Sequence, residues 1–136
     1  MTVALLILLA GAAAIHLVWA AGLNWPIRDE AQLAKAVVGA QGITKMPPRW
    51  ASALVALALG LAMVLIAAQA GWLGLPLGPK LMQIAIFLMV AVFALRGLAG
   101  YLPVWRQRME PRFDRLNARF YSPLCLLIAT LTVLQI

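Results

Sequence analysis

The chain has 136 residues, of which 65% are hydrophobic and only 11% charged, and its formal net charge is +7. Soluble domains carry roughly 45–50% apolar and about 25% charged residues, so this chain has too little polar surface to cover a core in water and belongs in a bilayer. The composition excludes a disordered tail, and the single cysteine excludes a disulfide-stapled secreted domain. The basic balance needs no nucleic acid to explain it, because the cations flank apolar spans where anionic lipid headgroups lie.

A bilayer core about 30 Å thick needs roughly 20 apolar residues per helix. Four stretches approach this, at residues 3–23, 50–70, 81–98 and 121–136. The fourth is short, since about 16 residues at 1.5 Å rise cover only about 24 Å, and it needs length from Arg119 and Phe120 or a locally thinner membrane. A re-entrant hairpin is the competing reading of that segment. The first span lacks a basic leader and is longer than a signal-peptide core, so a retained helix is expected.

The loop over 24–49 holds Arg28, Lys35, Lys45 and Arg49, and that over 99–120 holds Arg106, Arg108, Arg112, Arg115 and Arg119. Lys80 alone lies on the opposite side. The positive-inside rule makes both basic loops cytoplasmic and both termini external. The expected architecture is all-α: one membrane domain over residues 1–136, an antiparallel bundle of four transmembrane helices joined by short connections.

Within the first loop, Pro26, the acids Asp29 and Glu30, and Gly39 frame a helix over 27–38. Ile27, Ala31, Ala34 and Val38 give it a weak apolar stripe, which suits a position on the membrane surface. Residues 71–79, rich in Gly and Pro, make a tight turn between the second and third spans. In the third loop, Phe113, Leu116 and Phe120 recur at helical spacing among charges, which predicts a second surface helix. Ser122-Pro123 suits the start of the last span. Small residues four apart, Ala56 with Gly60 and Ala58 with Ala62, allow close packing of helices within the bundle.

The intramembrane polar groups cluster toward the basic loops. His16 and Trp19 share one face of the first helix, Arg96 sits in the last turn of the third, and Tyr121, Ser122 and Cys125 open the fourth. Asn24, Trp25, Tyr101 and Asp114 flank the same level. A buried His needs a partner for its ring N–H, and an ionisable residue in a span is a functional hypothesis by default. A ligand site lined by His16, Trp19, Arg96, Tyr121 and Ser122 is therefore one reading; a structural network pinning helices together is the other. Asp114 is most simply a partner for neighbouring arginines, with reach toward Arg96 as the alternative. Cys125 reads as a buried, reduced packing thiol.

One His and one Cys cannot supply paired haem ligands, a redox dithiol or a zinc set, so no metal site is expected and no cofactor can be named. No Asp or Glu lies in a span, against the pattern of small multidrug exporters. No residue pattern identifies a reaction, and an enzyme is the weaker reading.

The segments His16-Leu17-Val18-Trp19-Ala20-Ala21-Gly22, Leu95-Arg96-Gly97 to Gly100-Tyr101, and Phe120-Tyr121-Ser122-Pro123-Leu124-Cys125 carry a family resemblance. Through them the chain resembles, over nearly its whole length, an uncharacterised family of small bacterial four-helix integral membrane proteins, a domain of unknown function. The resemblance implies a bacterial cytoplasmic membrane and brings no substrate, cofactor or reaction. Two functions stay open. The first is binding of a lipid, quinone-like or other amphiphilic molecule in a polar pocket facing the cytoplasm. The second is an accessory or structural subunit whose basic loops dock a partner protein or anionic lipid, or whose bundle assembles with further copies.

Overall fold

The computed structural model describes residues 1–136 and is all-helical. In chain order the elements are α1 (Thr2–Ala20), α2 (Glu30–Val37), α3 (Arg49–Gln69), α4 (Pro79–Ala99), the single turn α5 (Pro103–Arg106), α6 (Pro111–Leu116), a π-helical turn (Asn117–Tyr121) and α7 (Ser122–Val133). Four helical stretches are long and apolar enough to cross a membrane: α1, α3, α4 and the run Pro111–Val133. This is the expected four-helix membrane architecture.

The fourth stretch departs from the sequence reading in an informative way. Helix does not begin afresh at Ser122-Pro123; α6, the π turn and α7 form one run of 23 residues. At 1.5 Å per residue that covers about 34 Å, so the shortness of 121–136 disappears. The physical device is the π turn. Pro123 has no N–H to donate, and its ring crowds the carbonyl four residues back, which would break a regular helix there. A widened turn immediately before it relaxes that ladder and lets the axis continue.

The helices form two tight pairs. α1 packs along α3 and α4 along α7, while contact between α3 and α4 and between α1 and α7 is much thinner. One apolar core spans all four: Leu5, Leu9 and Ala13 from α1, Leu59, Ala62 and Ile66 from α3, Met89 from α4 and Ile128 from α7. These residues occupy the half nearer the termini. There the Thr2 hydroxyl donates to Gln135 Oε1 at 2.8 Å, tying the first helix to the last. This bond and the shared burial of Leu9 and Ile128 fix an antiparallel register that places His16 at the depth of Tyr121.

Of the small residues the sequence motifs single out in α3, Ala56 and Ala62 are buried. Gly60 meets no neighbour, whereas Gly97 and Gly100 of α4 lie directly against α7, where a Cβ would run into Leu126 and into Ser122 and Asn117. Missing side chains thus set the α4–α7 spacing.

The long loops are also knit together. α2 starts at Glu30, later than the expected 27, because Asp29 is the cap: its carboxylate accepts the Gln32 N–H at 2.8 Å. Its buried face is Leu33, Ala34 and Ala36 rather than the stripe of Ile27, Ala31, Ala34 and Val38, and it packs on α6 instead of lying alone at the surface. Gly39 ends the helix with φ +77°, over the Phe113 ring. Beyond it, Glu110 N–H donates to Gly39 O at 2.7 Å, the Glu110 carboxylate accepts Gly42 N–H at 2.8 Å, and Gln41 Nε2 donates to Gln107 O at 3.0 Å. The two basic loops therefore form a single cap on one end of the bundle.

Gly39→Ala tests this clasp. A Cβ there faces both a left-handed backbone and the Phe113 ring, each costing about 1–3 kcal/mol. The unfolding midpoint of the purified protein is expected to fall clearly. An unchanged midpoint would show that the clasp does not hold the loops.

Candidate functional site

At the capped end the polar residues fall on the two helix pairs separately. On the α1 side, His16 Nδ1 lies 2.8 Å from Ala12 O, one turn back on its own helix. A carbonyl only accepts, so Nδ1 is the donor in this contact and Nε2 is left outside it. The imidazole stacks edge-on to Trp19, with ring centroids 5.0 Å apart. Trp19 in turn donates its indole N–H to Trp25 O at 2.8 Å, and Asn24 Nδ2 reaches Arg28 O at 3.4 Å. Those bonds shape the chain just after α1.

The α4–α7 side holds a buried polar knot. Arg96 Nη2 donates to Asn117 Oδ1 at 3.0 Å, and Asn117 Nδ2 donates to Gly100 O at 3.4 Å. Asn117 is 1% exposed and Ser122 is fully buried. Gly100 brings the two together, since the space its side chain would fill is taken by Ser122 Oγ and Asn117 Nδ2. Two buried polar atoms of this knot, Arg96 Nη1 and Ser122 Oγ, have no hydrogen-bond partner. An unmade hydrogen bond on a buried group costs about 1–3 kcal/mol, more when charged, so such atoms call for an explanation.

Tyr121 connects the knot to the cap. Its hydroxyl donates to Ala36 O on α2 at 3.2 Å, and its ring lies 5.8 Å from that of Phe113. Tyr101 OH donates to Ala118 O at 3.0 Å. Asp114 does not reach Arg96; it forms a bidentate pair with Arg106, at 2.8 and 2.9 Å. That carboxylate raises the Arg106 guanidinium above its ordinary pKa, first through the hydrogen bond and then through charge. Cys125 is a free, half-buried thiol on α7. No group of three or more His, Cys, Asp or Glu side chains is placed to hold a metal ion.

The residues singled out from the sequence thus share one end of the bundle, but no hydrogen bond joins His16 or Trp19 to Arg96, Tyr121 or Ser122. The residue that sequence reasoning missed is Asn117. Its signal was an uncharged polar residue on the apolar side of an arginine-rich helix, one turn before Tyr121 and Ser122.

Residues 9–132 match the family described as "Protein of unknown function (DUF3995)". The chain belongs to this family. No characterised protein and no solved structure matches it. The match runs from the middle of α1 to the end of α7 and so takes in both halves of the polar cluster.

Removing the Asn117 amide leaves the Arg96 guanidinium without a protein acceptor. Asn117→Ala is expected to cost about 1.5–3 kcal/mol, the range for hydrogen bonds to charged groups. In an Arg96→Met background the same change is expected to cost much less, and a double-mutant cycle from unfolding curves reads the coupling. Additive costs would mean that the 3.0 Å contact carries no energy.

Proposed function

We propose that this protein is an integral membrane binding protein that takes an amphiphile into the seam between the α1/α3 and α4/α7 pairs. His16 and Trp19 form one wall; Arg96, Tyr121 and Ser122 form the other. The observation that carries this reading is the pair of buried, unpartnered atoms Arg96 Nη1 and Ser122 Oγ, which ask for an acceptor oxygen. Three features support it. The core that joins the pairs lies in the other half of the bundle, so the seam at this depth is closed by half-buried side chains. His16 Nε2 takes no part in the bond to Ala12 O, and the residue lies at the level of Tyr121. Ligand sites in bundles lie between helices and combine apolar walls with a few convergent polar groups. A lipid or quinone-like molecule with a carbonyl, carboxylate or phosphate head fits that chemistry.

In this proposal the loop cap faces the cytoplasm, the termini face outside, and the membrane is the bacterial cytoplasmic one. Lys80 is the sole Lys or Arg at the end of the bundle away from the cap, as the positive-inside rule requires for that orientation. A second reading has its own observation. Arg108, Arg112, Arg115 and Arg119 are exposed, and the only ion pair in the structure is Arg106 with Asp114. Such unpaired cations suit anionic lipid or an acidic partner protein, each worth about 1 kcal/mol near an anionic surface.

Mass spectrometry of the protein in native-lipid discs separates the two. Under the binding reading a stoichiometric amphiphile accompanies the wild type and is lost from Arg96→Gln and Ser122→Ala while both stay folded. His16→Ala should weaken it. If nothing co-purifies and these variants only melt earlier, the knot is structural. Reversing Arg108, Arg112 and Arg115 to Glu should then abolish association with anionic vesicles or a partner, while leaving the melting midpoint nearly unchanged.

A further inference from the structure

A separate hollow of about 220 Å³ opens at the capped end where α1 stops and α2 and α3 begin, lined among others by Trp19, Leu23, Glu30, Met46 and Arg49. It holds two opposite charges that do not meet: Glu30 and Arg49 both line it, yet no ion pair joins them. Glu30 Oε1 accepts the Met46 N–H at 3.1 Å, which fixes the carboxylate and leaves its second oxygen free. The Arg49 guanidinium is seated over Gly22, in the space a side chain there would occupy, and the backbone at Gly22 has φ +83°. Arg49 also opens the 21-residue α3, whose cap residue Pro48 supplies no side-chain acceptor for the first amides. The Pro48 carbonyl takes one first-turn amide, the Ala51 N–H at 2.9 Å. An exposed guanidinium at the helix start offers donors to a phosphate, and the exposed Glu30 carboxylate lining the same hollow offers an acceptor to a cation.

We propose that this hollow receives the headgroup of a zwitterionic phospholipid with a primary ammonium, phosphatidylethanolamine. Arg49 and the α3 N-terminus take the phosphate. The free Glu30 oxygen accepts an ammonium N–H, a bond that a choline headgroup cannot offer. Glu30 also disfavours a headgroup of net negative charge. The depth points to a lipid rather than a soluble zwitterion. Trp25 and Trp50, 57% and 66% exposed, sit beside the hollow as interfacial tryptophans do, and Leu23, 60% exposed, lines it with apolar surface for the start of an acyl chain. Trp19 is shared with the amphiphile site proposed above, but neither Glu30 nor Arg49 belongs to it, so variants at these two charges test this site alone.

The test is native mass spectrometry of the full chain from discs of defined composition, phosphatidylglycerol with equal parts of phosphatidylethanolamine or phosphatidylcholine. The wild type is expected to retain one phosphatidylethanolamine, about tenfold in preference to phosphatidylcholine, the factor that one charge-assisted hydrogen bond supplies. Glu30→Gln keeps an oxygen for the Met46 N–H but not the charge, and should erase that preference. Arg49→Gln should lower retention of the lipid outright; if that variant does not fold, Arg49→Lys, which keeps the charge and loses the fork, should lower it partly. Lys80→Gln, at an exposed cation at the opposite end of the bundle, should leave retention and preference unchanged. Equal retention of the two lipids by the wild type, or retention unaltered in both Glu30→Gln and Arg49→Gln, would overturn the proposal. Binding of free phosphoethanolamine without retention of the lipid would overturn the assignment to a membrane headgroup.

Discussion

A guanidinium at the margin of hydrocarbon must find acceptors inside the protein, because no bulk water is there to supply them. Arg96 meets that constraint with Asn117, and the local fold follows from the meeting. Asn117 must be buried against α4, so its second bond goes to the Gly100 carbonyl. That in turn demands that position 100 carry no side chain, since Ser122 and Asn117 fill the space. The π turn begins at Asn117 itself and ends just before Ser122, so the widened backbone spans the residues that form the knot. Such turns recur at functional sites because they re-aim side chains without ending the helix.

The same constraint links the membrane part to the cap. Tyr121 lies within the π turn but spends its hydroxyl on α2, and Phe113 on the same helical run stacks near it beneath Gly39. Helix α2 is therefore seated by side chains that emerge from the last span. The backbone and side-chain hydrogen bonds between residues 39–42 and 107–110 then join the first basic loop to the second. The knot and the cap are thus joined by one continuous helical stretch, residues 113–122.

Composition and span length made the membrane class and the four helices legible, because each span is a long apolar run and the arithmetic of bilayer thickness leaves little freedom. The depth of the polar residues was legible too, since His16, Arg96 and Tyr121 can be located by counting turns. What the sequence withheld is rotation and pairing. A helix face is buried only against a particular neighbour, and α2 shows this: its Leu33, Ala34 and Ala36 face α6, a long-range contact that local periodicity does not encode. Asn117 escaped for a related reason. It sits between Arg115 and Arg119 in what reads as a solvated surface helix, and its burial depends on Gly100 seventeen residues earlier. Small residues were legible in part: Ala56 and Ala62 are buried and Gly60 has no neighbour, while Gly97 and Gly100, three apart, bring α4 against α7.

The division into two tight pairs explains why polar groups accumulate where they do. Apolar packing among four helices is complete only in the half with the termini, where Leu5, Leu9, Ile66, Met89 and Ile128 interlock and Thr2 meets Gln135. Toward the loops the shared core gives way to partly buried side chains such as Phe93 and Leu124, and hydrogen bonds between the two basic loops close that end. A bundle closed only for packing would fill that seam with leucine. Here α1 carries an imidazole bonded to its own helix, and α4 carries a guanidinium with one nitrogen satisfied and one not. Stability alone gives no reason to retain this arrangement, since an apolar side chain at 96 would remove both the burial cost and the need for Asn117. The end of the bundle outside the shared core is thus where polar groups that packing does not call for accumulate, which is why the proposed amphiphile site is placed there.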